Sequence, residues 1–256
     1  LCCCSKTGFV YGLAYILKLK IKTETRWNMN DTITEINKDT FWGLIREARD
    51  SCGQDMSAMV WYLKGRLVSM GAEQAQNFHD ITQAYEDLAY KYGLWDAAEI
   101  IMEYGCSNDG FIDFRAWLIA QGKEVYLAAL ADPDSLVEVE PYGDCNFEQM
   151  SYVGEYAYKQ LTGKSAYEQT DQRKYKKLVA ELKQDITYKD GIQFPREGAE
   201  LKQFLPRLCA KHPDRWREPH WNLDLKVVRE LFYAGKVHDH QQVCKKANRG
   251  HGGEAR

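Results

Sequence analysis

The sequence predicts an all-α fold, an orthogonal bundle of roughly eight or nine helices. Three observations point there. After residue 38, apolar residues recur mostly at intervals of three and four, not two. None of the six prolines precedes Pro133, so the first half lacks the residue that breaks helices. Alternation of period two is confined to a trace at Val137-Glu138-Val139-Glu140.

The elements follow in order. Asp39 is placed to cap a helix over 39–51, with Phe41, Leu44, Ile45 and Ala48 on one face. Ser57 is the expected cap of the second, whose stripe is Val60, Leu63, Leu67 and Met70 and whose stop is Gly71. A third, over 72–92, carries Ala75, Phe78, Ile81, Tyr85, Leu88 and Tyr92, with Gly93 ending it. A short fourth over 94–104 ends at Gly105, and a fifth over 111–131 bends at Gly122 and stops before Pro133. Phe147, Met150, Val153, Ala157 and Leu161 set a sixth over 146–161, closed by Gly163. A charged helix over 172–188 is built around Tyr175, Leu178, Val179, Leu182 and Ile186. Residues 197–211 are helical but interrupted at Pro206, and 222–234 form the last candidate. No fixed-period repeat is present. Trp42, Trp61, Trp95 and Trp117 fall on apolar sides and are expected in the core.

Charge is unevenly distributed. Residues 31–150 hold 22 acids and 8 bases, whereas residues 151–256 hold 14 acids and 21 bases. The basic half could attract nucleic acid or an acidic partner; the plainer reading is solvated helix faces or attraction between the halves. The eight cysteines include no Cys-x-x-Cys pair and are read as reduced side chains of a cytoplasmic protein. Residues 1–28 begin with Leu, carry a short apolar run flanked by lysines, and are read as an extension upstream of a natural start at Met29. A domain over 29–214 follows. Residues 215–256 are expected to add one helix and a disordered basic tail. The apolar run is too short to span a membrane, so no span is expected.

The stretch from Gly105 to Ile119 invites a calcium-loop reading. Setting Gly110 at the sixth position of such a loop places Gly105 and Ala116 where the first and last ligands belong. Two acids and a hydroxyl are too few for six to eight oxygens. Gly105 then reads as a helix end, with Asp109 or Asp113 capping the next helix.

No complete catalytic constellation is present. There is no Gly-x-Ser-x-Gly and no phosphate loop. The carboxylates near Cys106 would raise its thiol pKa. Cys209, His212, His220, His238, His240 and Cys244 lack the paired spacing of a zinc site, so no metal or other cofactor is expected. Asp96, Asp109 and Asp113 would converge if the fourth and fifth helices met at their turn. With Trp95, Arg115 and Trp117 they form the candidate ligand-binding set. Arg215, Trp216, Arg217, His220 and Trp221 form an exposed cation-aromatic patch, the candidate for gripping a protein partner or stacking on bases, or else for tying the tail to the bundle.

Several segments are similar to a bacterial family of domains of unknown function, number 4240. They are Asn37-Lys38-Asp39-Thr40-Phe41-Trp42-Gly43-Leu44-Ile45, the run from Tyr104 to Phe111, the run from Phe114 to Tyr126, the run from Ala128 to Leu136, and Leu205-Pro206-Arg207-Leu208. The resemblance covers about residues 38–214 and implies a helical domain. Some relatives are fused to WGR domains, which are linked to nucleic-acid proteins and molybdate-related regulators; no WGR triplet occurs here. The expectation is a cytoplasmic binding or regulatory module without catalysis. The alternatives are a metal-assisted hydrolase using the 95–117 turn and a nucleic-acid accessory protein using the basic half.

Overall fold

A computed structural model describes residues 33–216. The chain separates into two units, Leu1–Thr34 and Glu35–Arg256, and every described helix belongs to the second. In chain order these are α1 (Lys38–Cys52), α2 (Met56–Met70), α3 (Ala72–Leu88), α4 (Tyr92–Ile101), α5 (Asn108–Ala120), α6 (Lys123–Ala131), α7 (Glu148–Ser151), α8 (Val153–Thr162), α9 (Ala166–Gln169), α10 (Gln172–Lys183), α11 (Gly198–Phe204) and α12 (Pro206–Lys211). Two 3-10 turns, Pro133–Glu138 and Gly143–Cys145, lie between α6 and α7. Among the described residues there is no strand, and nine α-helices have seven or more residues. The expected all-α bundle is therefore observed.

The bundle is organised around α3, which packs against α2, α5, α8 and α10. Its apolar stripe (Ala75, Phe78, Ile81, Tyr85, Leu88) is buried, as is the α1 stripe of Phe41, Leu44, Ile45 and Ala48. The two stripes meet through aromatic rings. Phe41 lies 4.9 Å from Phe78 and Trp42 4.7 Å from Tyr85, and Tyr85 lies 5.1 Å from Tyr126 of α6. Trp42 Nε1 donates to the Tyr85 hydroxyl at 2.9 Å, which satisfies the polar end of the indole. Burial contributes about 2 kcal/mol for each such side chain, so this seam is a main source of stability.

Close approach explains two glycines. At Gly154 of α8 a β-carbon would stand 2.7 Å from the backbone of His79, so this glycine lets α8 lie directly on α3. Gly93 lies within α4 and ends no helix: its N–H donates to Ile192 at 2.7 Å, and the Phe204 ring occupies the space a β-carbon would need.

Other local expectations are corrected. Asn37, not Asp39, caps α1, in a reciprocal box with Thr40. Asp55, not Ser57, caps α2 by accepting from Ala58 N at 2.9 Å. The buried side of α2 is Met59, Leu63 and Leu67; Val60 and Met70 are half-buried. Trp61 then falls on the opposite side of that helix and is 71% exposed, with the Lys64 ammonium over its ring. The expected fifth helix is two helices, broken where Gly122 adopts a φ of 94°. The sixth is likewise divided into α7 and α8, and Leu161 at its end is exposed. The Val137–Glu140 trace belongs to the end of a 3-10 turn. The helix expected over 222–234 lies outside the described residues.

Candidate functional site

The joint between α4 and α5 is built around a carboxylate absent from the sequence candidates. Glu99 accepts the Cys106 N–H at 2.7 Å, and its Oε1 lies 2.5 Å from where a β-carbon of Gly105 would stand. Gly105 has φ 77°, so the turn closes over the acid only because that position is glycine. Ser107, not Asp109 or Asp113, caps α5 by accepting from Gly110 N at 3.0 Å. The Cys106 thiol is pushed well up, first by burial and then by Glu99, which makes it a poor nucleophile.

The six candidate residues divide among separate environments. Trp95 is buried, donates to the Cys106 carbonyl at 2.7 Å and stacks on Phe111 at 4.8 Å. Asp96 is buried opposite Arg196, with 4.0 Å between them. Asp109 is exposed in the first turn of α5. Asp113 is half-buried and accepts from Asn146 Nδ2 at 3.1 Å. Its carboxyl is raised by burial, then by Glu148. Arg115 and Trp117 are core residues, and Trp117 Nε1 is buried without a hydrogen-bond partner among the described residues. No group of three or more His, Cys, Asp or Glu side chains among the described residues is arranged to hold a metal ion, so Asp96, Asp109 and Asp113 do not form such a cluster.

Arg115 serves the end of α3. The last carbonyls of a buried helix need donors from elsewhere, and three side chains supply them. Tyr126 Oη donates to the Tyr85 carbonyl at 2.6 Å, Arg115 Nη1 to the Glu86 carbonyl at 2.7 Å, and Tyr188 Oη to the Leu88 carbonyl at 3.0 Å. Arg115 Nε also donates to the Phe111 carbonyl at 3.1 Å, and its guanidinium lies 4.3 Å from the centre of the Tyr90 ring. Burial pulls the Arg115 pKa down, while Glu86 opposes that pull.

The Glu86 side chain points to a second cluster. Its carboxyl accepts from Ser151 Oγ at 2.5 Å and from Gln83 Nε2 at 3.3 Å. Burial pushes it up to about 7, against the opposing effects of Ser151 and Arg115. Two turns earlier on α3, His79 is buried with Nδ1 unpartnered among the described residues, its ring 4.3 Å from that of Tyr167, and burial lowers its pKa. Sequence reading missed Glu86 because an acid inside an apolar stripe looks like a surface residue until its neighbours are known.

A groove of about 330 Å³ opens on another face, lined by Arg46, Arg49, Asp50, Gly53, Gln54, Gln121 and Tyr142. Arg46 and Arg49 stand one turn apart on α1, and both are exposed without an ion-pair partner among the described residues. Arg49 Nη1 lies 3.0 Å from where a Gly122 β-carbon would stand, so the break between α5 and α6 leaves room for the guanidinium. Gln121 is buried, and its Nε2 donates to the Trp117 carbonyl at 3.1 Å and to Tyr142 Oη at 2.9 Å. Burial raises the Tyr142 hydroxyl, and the Gln121 hydrogen bond and then Arg49 act in the other direction. None of these residues was a sequence candidate. Arg46 and Arg49 share a helix face, but Gln121 and Tyr142 reach them only through tertiary packing.

Of the C-terminal patch, Arg215 donates to the Ile101 carbonyl at 2.8 Å and Trp216 to the Cys209 carbonyl at 3.1 Å. Both are half-buried and tie the segment to α4 and α12, the second of the two expectations for these residues. They lie just beyond α12, within reach of main-chain carbonyls. Arg217, His220 and Trp221 lie outside the described residues, as do His220, His238, His240 and Cys244 of the soft-ligand set. Cys209 is buried.

Among the described residues, fold and site together define an all-α bundle with a small polar groove beside its first helix. Residues 36–160 match the family described as Protein of unknown function (DUF4240). The matched span begins near the expected point but ends before α10–α12, so Leu205–Leu208 lies beyond it. No curated protein and no solved structure matches the chain. Among the described residues, no helix is long and apolar enough to cross a membrane.

Proposed function

We propose that this chain is a cytoplasmic, non-catalytic binding or regulatory module, and that the groove beside α1 is its ligand seat. The groove carries the reading. It combines two guanidiniums without ion-pair partners among the described residues, a phenol and a buried amide in a concavity near the lower size limit of small-molecule pockets. The sequence candidates at the 95–117 turn support it indirectly, since Trp95, Arg115 and Trp117 are committed to the core.

The test is a thermal-shift screen of the full chain against a broad metabolite set, repeated with Gln54→Trp to obstruct the groove. Compounds that stabilise the native chain and lose that effect in the variant support the reading. Equal stabilisation of both proteins would move the seat elsewhere. Turnover in a hydrolase screen that vanishes in Asp113→Asn would replace the module with the metal-assisted hydrolase.

One observation favours the nucleic-acid alternative: Arg173, Lys174, Lys176, Lys177 and Lys183 are all exposed on α10. That reading requires salt-sensitive binding of single- or double-stranded oligonucleotides, reduced by Lys176→Glu with Lys177→Glu.

A further inference from the structure

Resting on the groove as a ligand seat, we infer its ligand class: a small organic molecule bearing a single carboxylate, held between Arg46, Arg49 and the Tyr142 hydroxyl.

Hydrogen-bond direction supports this. Gln121 Nε2 has two hydrogens, and both are used, one on the Trp117 carbonyl and one on Tyr142 Oη. Tyr142 therefore accepts from Gln121, and its own hydrogen, without an acceptor among the described residues, is left for a ligand in the groove that Tyr142 lines. Arg46 and Arg49 are donors only. The seat thus presents three groups that seek an acceptor, fixed from behind by a buried amide. Guanidiniums match the planar, two-oxygen geometry of a carboxylate.

Charge selects among oxyanions. Two guanidiniums against Asp50 leave one net positive charge on the lining. The Glu124 carboxylate is close by, its Oε2 4.0 Å from the same β-carbon point that Arg49 approaches. The surrounding 31–150 region is acidic. A monoanion is balanced by this lining, whereas a phosphate dianion brings a second charge that the lining residues do not neutralise.

The experiment is calorimetric titration of the full chain at low salt with benzoate, phenyl phosphate and benzyl alcohol, the last as an uncharged control. Benzoate is expected to bind at one site and to weaken as salt is raised. Its affinity should fall about tenfold in Arg49→Gln and in Arg46→Gln, and about threefold in Tyr142→Phe. All three substitutions lie at the surface or remove one oxygen, and unchanged melting temperatures would show the variants folded. Saturation by phenyl phosphate more tightly than by benzoate would overturn the monoanion assignment. Benzoate binding indifferent to Arg49→Gln, or no saturable benzoate binding, would overturn the anion site. Benzyl alcohol binding that is lost in Gln54→Trp, without benzoate binding, would overturn this inference while leaving the groove as the seat.

Discussion

Arg115 directs its buried guanidinium to the main-chain carbonyl of Glu86, not to that residue's carboxylate, at 2.7 Å. The Glu86 carboxyl turns away to Ser151 and Gln83. A cation at the C-terminal end of α3 is favoured by the helix dipole and satisfies a carbonyl that would otherwise be orphaned in the core. Arg115 is thus a helix cap reaching in from another helix.

Replacing it should be costly. Arg115→Met removes the bonds to Glu86 and Phe111 and leaves the Glu86 carbonyl buried without that donor. A loss of about 3 kcal/mol is expected in urea unfolding. A loss below about 1 kcal/mol would show that the cap is dispensable.

Glu86 sets a pH dependence. Its folded pKa of about 7 lies above the ordinary value of 4.5, so between those values the folded state holds a proton that the unfolded state has released. Stability should therefore fall as pH rises through this window, by an amount on the order of 3 kcal/mol. His79 has the opposite slope, because its lowered pKa makes the folded state lose stability on acidification below about 6.5. The difference between native protein and Glu86→Gln, measured from pH 5 to pH 8, isolates the carboxyl. Parallel stability curves for the two proteins would remove Glu86 as the source.

Gly154→Ala is a steric test of the α3–α8 contact. The added methyl would meet three atoms of His79 at 2.7 Å, two of them backbone. Since backbone cannot rotate aside, a loss of about 2 kcal/mol is expected despite alanine's better helix propensity. A stabilised variant would mean that α8 can shift outward freely.

Asp134 offers a long-range cap. This buried side chain accepts from Arg207 N at 3.0 Å and Leu208 N at 2.9 Å, the first turn of α12. Asp134→Ala is expected to cost about 2 kcal/mol, and Asp109→Ala on the exposed start of α5 much less. Equal losses in chemical unfolding would contradict the distinction between the two acids.

The core stripes were legible in the sequence because they depend on local period. Phe41, Leu44, Ile45 and Ala48 are buried as their spacing implies. Capping was less legible, since acceptors crowd within two residues at both Asn37/Asp39 and Asp55/Ser57, and backbone geometry decides between them. Gly93 was misread because glycine that ends a helix and glycine that admits a ring look alike; Phe204, which occupies the space, lies far along the chain. The groove was hidden for a related reason. Its donors come from α1, the end of α5 and an irregular segment, and only the folded chain sets them side by side.

The three side chains that finish α3 bear on how the polypeptide can be divided. Tyr126 and Arg115 lie inside the family-matched span 36–160, but Tyr188 lies beyond it. So do Phe204, which packs on Gly93, and the α12 amides that Asp134 receives. A fragment cut at residue 160 would uncover a helix end, a ring-shaped hollow and a buried carboxylate together. The matched segment therefore ends inside this packing, and expression trials that stop at residue 160 should yield insoluble or protease-sensitive material.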